Sequence, residues 1–221
     1  MLDTRFPRLR GDVGCPESFD PPALIERVAG ARVGDAVTDQ AHDKRIVDGF
    51  VDAARRLQDR GADIIATSCG FLSPLQPALE AAVSVPVVSS VLIDLPDIRR
   101  TLPASSAIGV LTFDGRKLNA SHLPDKHGPY RIAGLEDGDE LHRVISHDLG
   151  HLDRSAAELD ALTSAKRLIC QYPDVSILVL ECTNLPPYQS RIEELTGKTV
   201  YSIQNAIAAR IRTLVDPTFG G

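Results

Sequence analysis

The 221-residue chain is predicted to be an α/β protein built from two similar α/β halves with parallel sheets, related by a pseudo-two-fold. Three observations carry this. Short runs rich in Val and Ile alternate with longer stretches of helical periodicity, the pattern of strands covered by helices. The runs are apolar on both faces and bounded by Gly or Pro, as buried parallel strands are. Finally, residues 63–89 lie on residues 176–202 without a gap at an offset of 113. Identities in that overlay are Ile64/Ile177, Cys69/Cys182, Leu72/Leu185, Pro74/Pro187, Gln76/Gln189, Glu80/Glu193, Val87/Val200 and Ser89/Ser202. Shared periodicity would match apolar classes but not Cys, Pro, Gln and Glu together, so duplication is the better account.

In chain order, Met1-Leu2-Asp3-Thr4 reads as a first strand clipped relative to its counterpart in the second half. Gln40 to Arg60 places Ile46, Val47, Phe50, Ala54 and Leu57 at helical spacing and leads into a strand at Asp63 to Ser68. Val85 to Ser89 is the next strand, and Ala107 to Thr112 opens the second half. The segment holding His142, His147, Asp148 and His151 reads as polar and solvated, a wet face rather than a metal site. Arg154 to Gln171 is a helix with Ala157, Ala161, Leu168 and Ile169 on one face, followed by strands at Ser176 to Glu181 and Thr199 to Ser202. A last helix, Gln204 to Pro217, is expected to pack back on the first half, so the expected domains are 1–96 plus 204–221 and 97–203.

Composition narrows the function. A net charge of -6, 43% hydrophobic residues, five lysines and no basic run suit a globular protein with a real core and speak against nucleic-acid binding. No apolar run reaches the ~18 residues of a membrane span, and the first residues lack a signal-peptide pattern, so a cytoplasmic location is expected. No Gly-rich loop fits a dinucleotide or Walker fingerprint. Cys15, Cys69, Cys170 and Cys182 are too few and too widely spaced for a disulfide framework. Cys170 reads as a core residue and Cys15 as a bystander.

Cys69 and Cys182 each stand where a buried strand ends and a helix begins, at the carboxyl edge of a parallel sheet, where open α/β folds bind ligands. Backbone N–H groups there can hold a carboxylate and are expected to depress the thiol pKa below its usual ~8.5. Two such thiols facing each other across a cleft between the halves form an acid/base pair able to invert a carbon acid. Asp3, Thr4 and Arg5 follow the first strand and are placed to reach the cleft; Arg5 is a candidate carboxylate clamp, set against a surface ion-pair reading.

Thr67-Ser68-Cys69-Gly70 and Glu181-Cys182-Thr183-Asn184, each closing a buried strand, resemble the two cysteine motifs of the aspartate/glutamate/hydantoin racemase superfamily. Leu2-Asp3-Thr4-Arg5-Phe6-Pro7-Arg8 followed by Gly11-Asp12-Val13-Gly14 is similar to its amino-acid-racemase-like members. The resemblance implies two flavodoxin-like domains with the active site between them, no cofactor, Cys69 and Cys182 as paired catalytic residues, and a homodimer or higher homo-oligomer. It also implies contacts to a small carboxylate or amino-acid-like substrate from Thr67, Ser68, Gly70, Thr112 and Thr183, with Asn184 beside them. Aspartate and glutamate racemases usually carry Asn-Thr after the first cysteine and Thr-Glu or Thr-His after the second, whereas this chain has Gly70-Phe71 and Thr183-Asn184. The expected activity is a cofactor-independent racemase or epimerase. Same-fold decarboxylases or cis–trans isomerases similar to arylmalonate decarboxylase or maleate isomerase, and a non-catalytic small-acid binding protein, are the alternatives.

Overall fold

The computed structural model describes residues 1–125 and 128–216. The elements in chain order are α1 (Val33–Ala36), α2 (Lys44–Asp59), β1 (Ile65–Ala66), α3 (Gln76–Glu80), β2 (Val87–Val88), α4 (Leu95–Arg100), β3 (Ala107–Thr112), β4 (Tyr130–Gly134), α5 (Leu141–Ser146), α6 (Arg154–Gln171), β5 (Val175–Leu180), α7 (Gln189–Thr196), β6 (Thr199–Ser202) and α8 (Ile203–Val215). A 3₁₀ turn at Gly70–Leu75 precedes α3, and another at Pro186–Tyr188 precedes α7.

The fold is α/β with two parallel sheets. The larger has the order β4-β3-β5-β6, and the smaller pairs β1 with β2. Every residue of β3 is buried, because helices cover both faces of a parallel sheet and leave no wet side. Leu2 pairs with Val28 in a single parallel bridge, so the strand of the first half is much shorter than β3.

The internal repeat is a repeat of structure as well as sequence. Ile65 pairs with Val87 and Ala66 with Val88; adding 113 to each gives Leu178 with Val200 and Val179 with Tyr201, the observed register of β5 on β6. The shared glutamines explain their own identity. Gln76 Nε2 donates to the Val87 carbonyl (2.8 Å) and to Glu80 (2.8 Å), and Gln189 Nε2 donates to the Val200 carbonyl (3.0 Å) and to Glu193 (3.5 Å). Each glutamine ties its helix to the strand that follows.

The long helices start at side-chain caps that satisfy backbone N–H groups left free in the first turn. Asp43 accepts from Arg45 N–H (2.7 Å) ahead of α2, which buries Ile46, Phe50, Ala53 and Ala54. Asp153 accepts from the N–H groups of Ser155 and Ala156 ahead of α6, which turns Ala157, Ala161, Ala165 and Leu168 inward. Ser202 and Asn205 form a reciprocal capping box on α8. That helix packs on β2 as well as β6, and Arg210 grips the Asp94 carboxylate with both terminal nitrogens (2.6 and 2.5 Å). Pro217, expected to end this helix, and residues 218–221 lie outside the described residues.

Two expectations are corrected here. The stretch around His142 is not simply a wet face: it contains α5, whose Leu141, Val144 and Ile145 are buried. Asp160 of α6 accepts from the N–H groups of Asp139, Glu140 and Leu141, so a partner distant in sequence starts this helix. Cys170 is exposed rather than part of the core, because it falls on the outer side of the last turn of α6.

Candidate active site

β1 and β5 both deliver a cysteine three or two residues beyond their last paired residue, and the chain then turns sharply into a 3₁₀ segment. The turn is the same in both copies: Leu72 N–H donates to the Cys69 carbonyl (3.1 Å) and Leu185 N–H to the Cys182 carbonyl (3.0 Å). The Phe71 N–H faces the Cys69 sulfur and the Asn184 N–H faces the Cys182 sulfur, again positions 113 apart. Both thiols line one narrow cleft, together with Ser68, Gly70, Glu181, Thr183 and Asn184 from the two motifs. Its apolar wall includes Phe6, Phe71 and Phe113.

The two motifs touch. Thr183 Oγ1 donates to the Ser68 carbonyl (2.7 Å), and Leu2 N–H approaches Ser68 Oγ (3.4 Å). Gly70 has no room for a side chain, since a Cβ there would stand 2.2 Å from the Glu181 carbonyl oxygen and 2.4 Å from Glu181 Oε1. Close approach of the two cysteine loops therefore needs glycine at this position.

Both cysteines are nearly inaccessible, Cys69 at 9% and Cys182 at 4% exposure. The expectation of depressed thiol pKa values is overturned. Burial, and then the charge of Glu181, push Cys69 up to about 12, with the Phe71 N–H and the Arg8 guanidinium opposing. Burial first and Glu181 next raise Cys182 well above the ordinary thiol range, with the Asn184 N–H opposing. One N–H per sulfur and a single short turn do not offset removal from water.

Other expected contacts divide. Ser68, Gly70, Thr183 and Asn184 line the cleft. Thr67 and Thr112 stand behind it: Thr67 Oγ1 donates to the Ser89 carbonyl (2.6 Å), and Thr112 Oγ1 donates to Glu181 Oε2 (2.6 Å). They hold the loops rather than face the space. Of the two readings of Arg5 the structure shows the surface ion pair and not the clamp, because its side chain is 83% exposed and pairs with Asp148 outside the cleft. Cys15 is buried with its sulfur on Glu17 (3.2 Å), apart from the cysteine loops. His142 stacks on Phe113 (4.6 Å between centroids), and among the described residues no three His, Cys, Asp or Glu side chains gather as metal ligands.

Two charged residues of the site carry no signal in periodicity. Arg8 lines the cleft with its side chain only 9% exposed, its Nη1 on Asp12 Oδ1 (3.1 Å) and its Nη2 on Thr4 Oγ1 (3.3 Å). Asp12 is buried and also accepts from Gly14 N–H (2.6 Å) and Asn184 Nδ2 (2.5 Å); burial raises its pKa and Arg8 leads the opposing effects. The Gly11-Asp12-Val13-Gly14 loop is the housing of this pair, since a Cβ at Gly14 would press on the Arg8 guanidinium at 3.0 Å. Glu181 is 1% exposed, accepts from Thr112 and the Phe113 N–H, and is pushed up to about 7 by burial.

Comparison with known proteins agrees with this architecture. Residues 14–211 match the Asp/Glu/Hydantoin racemase family. The chain belongs to that family. A dimethylsulfoniopropionate lyase of Durusdinium sp. clade D is 28% identical over 99% of this chain and 75% of its own length. A glutamate racemase of Shewanella loihica is 28% identical over 72% of this chain and 60% of its own. Among solved structures, glutamate racemase isoform RacE1 from Bacillus anthracis superposes with a TM-score of 0.54 at 18% identity, covering 78% of this chain and 65% of that one. The racemase fold of two flavodoxin-like domains is therefore that of this family member, an enzyme family whose relatives include both lyases and racemases. No described helix is long and apolar enough to cross a membrane.

Proposed function

We propose that this protein is a cofactor-independent lyase that removes the proton next to a carboxylate and expels a leaving group from the adjacent carbon, with Cys69 and Cys182 as its acid/base pair. The observation that carries the reading is the pair itself: two repeat-related buried thiols, each facing a backbone N–H, lining one cleft. The near full-length likeness to a dimethylsulfoniopropionate lyase favours elimination over inversion as the outcome.

In the step, the thiolate of one cysteine takes the α-proton, its electron pair forms the Cα–Cβ double bond, and the bond from Cβ to the leaving group breaks with its pair. For dimethylsulfoniopropionate the products are acrylate and dimethyl sulfide, and the thiol returns its proton to solvent. The thiols are raised by burial, so the acting one must first lose its proton, and kcat/KM is expected to rise as pH increases above neutrality.

Racemisation is the second reading, favoured by the symmetry of the two thiols. A substrate with no leaving group would lose a proton to one thiolate and regain one from the opposite thiol. The test combines headspace dimethyl sulfide from dimethylsulfoniopropionate with α-proton exchange of amino acids in D₂O. Release of dimethyl sulfide that is lost in Cys69→Ser or Cys182→Ser supports elimination. Mirror-image exchange, each serine variant labelling the opposite enantiomer, supports racemisation. Release or exchange unaffected by either substitution removes the cysteine mechanism.

A further inference from the structure

The cleft contains two buried polar atoms of opposite sign with no partner. Arg8 Nε is one, although both terminal nitrogens of the same guanidinium are engaged. Glu181 Oε1 is the other, although its sister oxygen accepts from Thr112. Both side chains are nine-tenths buried or more, and both line the space that holds the thiols. An unmet charged group in such a place costs more than an unmet neutral one, and a ligand that completes it recovers that cost.

We propose that Arg8 and Glu181 are the two recognition groups of this cleft, Arg8 taking the carboxylate and Glu181 the cationic end of a small zwitterion, an onium carboxylate. The inference rests on the reading of the cysteine cleft as an active site for acids. Three features beyond the orphaned atoms support it. Arg8 and Glu181 act on Cys69 in opposite senses, so the reacting position lies within reach of both charges. Phe71 is the phenyl ring of the wall that neither carries the Arg8 guanidinium, as Phe6 does (4.4 Å), nor stacks on His142, as Phe113 does, and an aromatic face accommodates a sulfonium or quaternary ammonium group. Arg8 is already balanced by Asp12 at 3.1 Å, so Glu181 is the unbalanced charge of the lining.

Such a ligand would also prepare the base. Glu181 is one of the causes that hold both thiols protonated, and a cation seated against it cancels that influence. The substrate's own charge then favours the thiolate, which ties deprotonation of cysteine to occupancy of the cleft.

Calorimetric titration of the wild-type protein with an isosteric pair tests this: 3-(trimethylammonio)propionate, and 4,4-dimethylpentanoate, which has the same shape without the cation. The zwitterion is expected to bind roughly tenfold or more tightly than the neutral-tailed acid. Glu181→Gln should erase that preference while leaving affinity for 4,4-dimethylpentanoate unchanged or improved. Arg8→Gln should weaken both probes alike, and Arg8→Lys should restore part of the loss. Arg8 also packs on Asp12, so thermal unfolding of its variants is measured in parallel, and the Glu181 arm stands without them. Equal binding of the two probes, a preference that survives Glu181→Gln, or no binding of either would overturn the proposal. These failures differ from that of the lyase reading: a strong zwitterion preference without elimination or exchange removes the cysteine chemistry alone. Dimethyl sulfide release without the preference removes the recognition role alone.

Discussion

Individual residues set the character of this cleft through what they exclude. Gly70 is there because nothing larger fits against Glu181, so Gly70→Ala is expected to cost about 1–3 kcal/mol by overpacking and to separate the cysteine loops. The midpoint of denaturant unfolding should fall, and on the proposed lyase reading the rate of dimethyl sulfide release should fall with it. Glu181 provides a sign-specific pH test. Its carboxyl ionises at about 7 when folded, against the ordinary 4.5, so between those values the folded state holds a proton that the unfolded state has lost. Stability from this group is therefore full below 4.5 and lost as pH rises to 7. Removing the charge by Glu181→Gln should make the protein more stable than wild type at pH 8, by on the order of 3 kcal/mol, with the gap closing as pH falls from 7 to 4.5. A gap that does not change with pH would show that the carboxyl is not desolvated in the folded protein.

At the scale of elements, the repeat gives matched experiments. Gln76 both donates to the Val87 carbonyl and accepts from Ser89 N–H (2.8 Å each), whereas Gln189 makes only the first kind of contact with its strand (3.0 Å). Gln76→Ala is therefore expected to cost about 1–2 kcal/mol and Gln189→Ala about 0.5–1 kcal/mol. The two share no partner, so the double variant should be additive to within about 0.5 kcal/mol in chemical denaturation. Elements also differ in how well local patterns reveal them. α2 and α6 each carry an Asp cap and an inward apolar face, and their expected bounds fall within a few residues of those observed. α5 has six residues and starts on the carboxylate of Asp160, a cap borrowed from another helix that no local window contains. β4 is half-buried, lies at the edge of its sheet and includes Arg131 paired to Asp174, so its residues lack the continuous apolar run of β3 and β5.

For the whole molecule, a few contacts of long sequence separation join the cysteine loops and close the chain on itself. Thr183 reaches Ser68, Asn184 reaches Asp12, Gln204 Nε2 reaches the Gly11 carbonyl (2.8 Å), and Arg210 reaches Asp94. The last is a two-pronged, partly buried pair, and Arg210→Ala is expected to cost about 1–2 kcal/mol. Hydrogen exchange should then accelerate in α8 while α6 stays protected, because α8 loses its tie to Asp94 and α6 keeps its buried face. Uniform acceleration across both helices would show instead that the pair supports global stability.

The sequence by itself determined the alternation of elements, the duplication, and the arrival of Cys69 and Cys182 at equivalent strand ends, because strand period, helix period and capping are short-range properties. The family resemblance seen in the cysteine motifs agrees with the family match over residues 14–211. Tertiary structure alone decided that Arg8 rather than Arg5 lines the cleft, that Thr67 and Thr112 support its walls, and that Glu181 faces Gly70 across the two loops. It also reversed the expected direction of the thiol pKa values. A helix-terminal N–H acts locally and can be read from the chain, but desolvation sums over every neighbour that excludes water, and the residues lining the cleft with the two thiols come from widely separated parts of the chain.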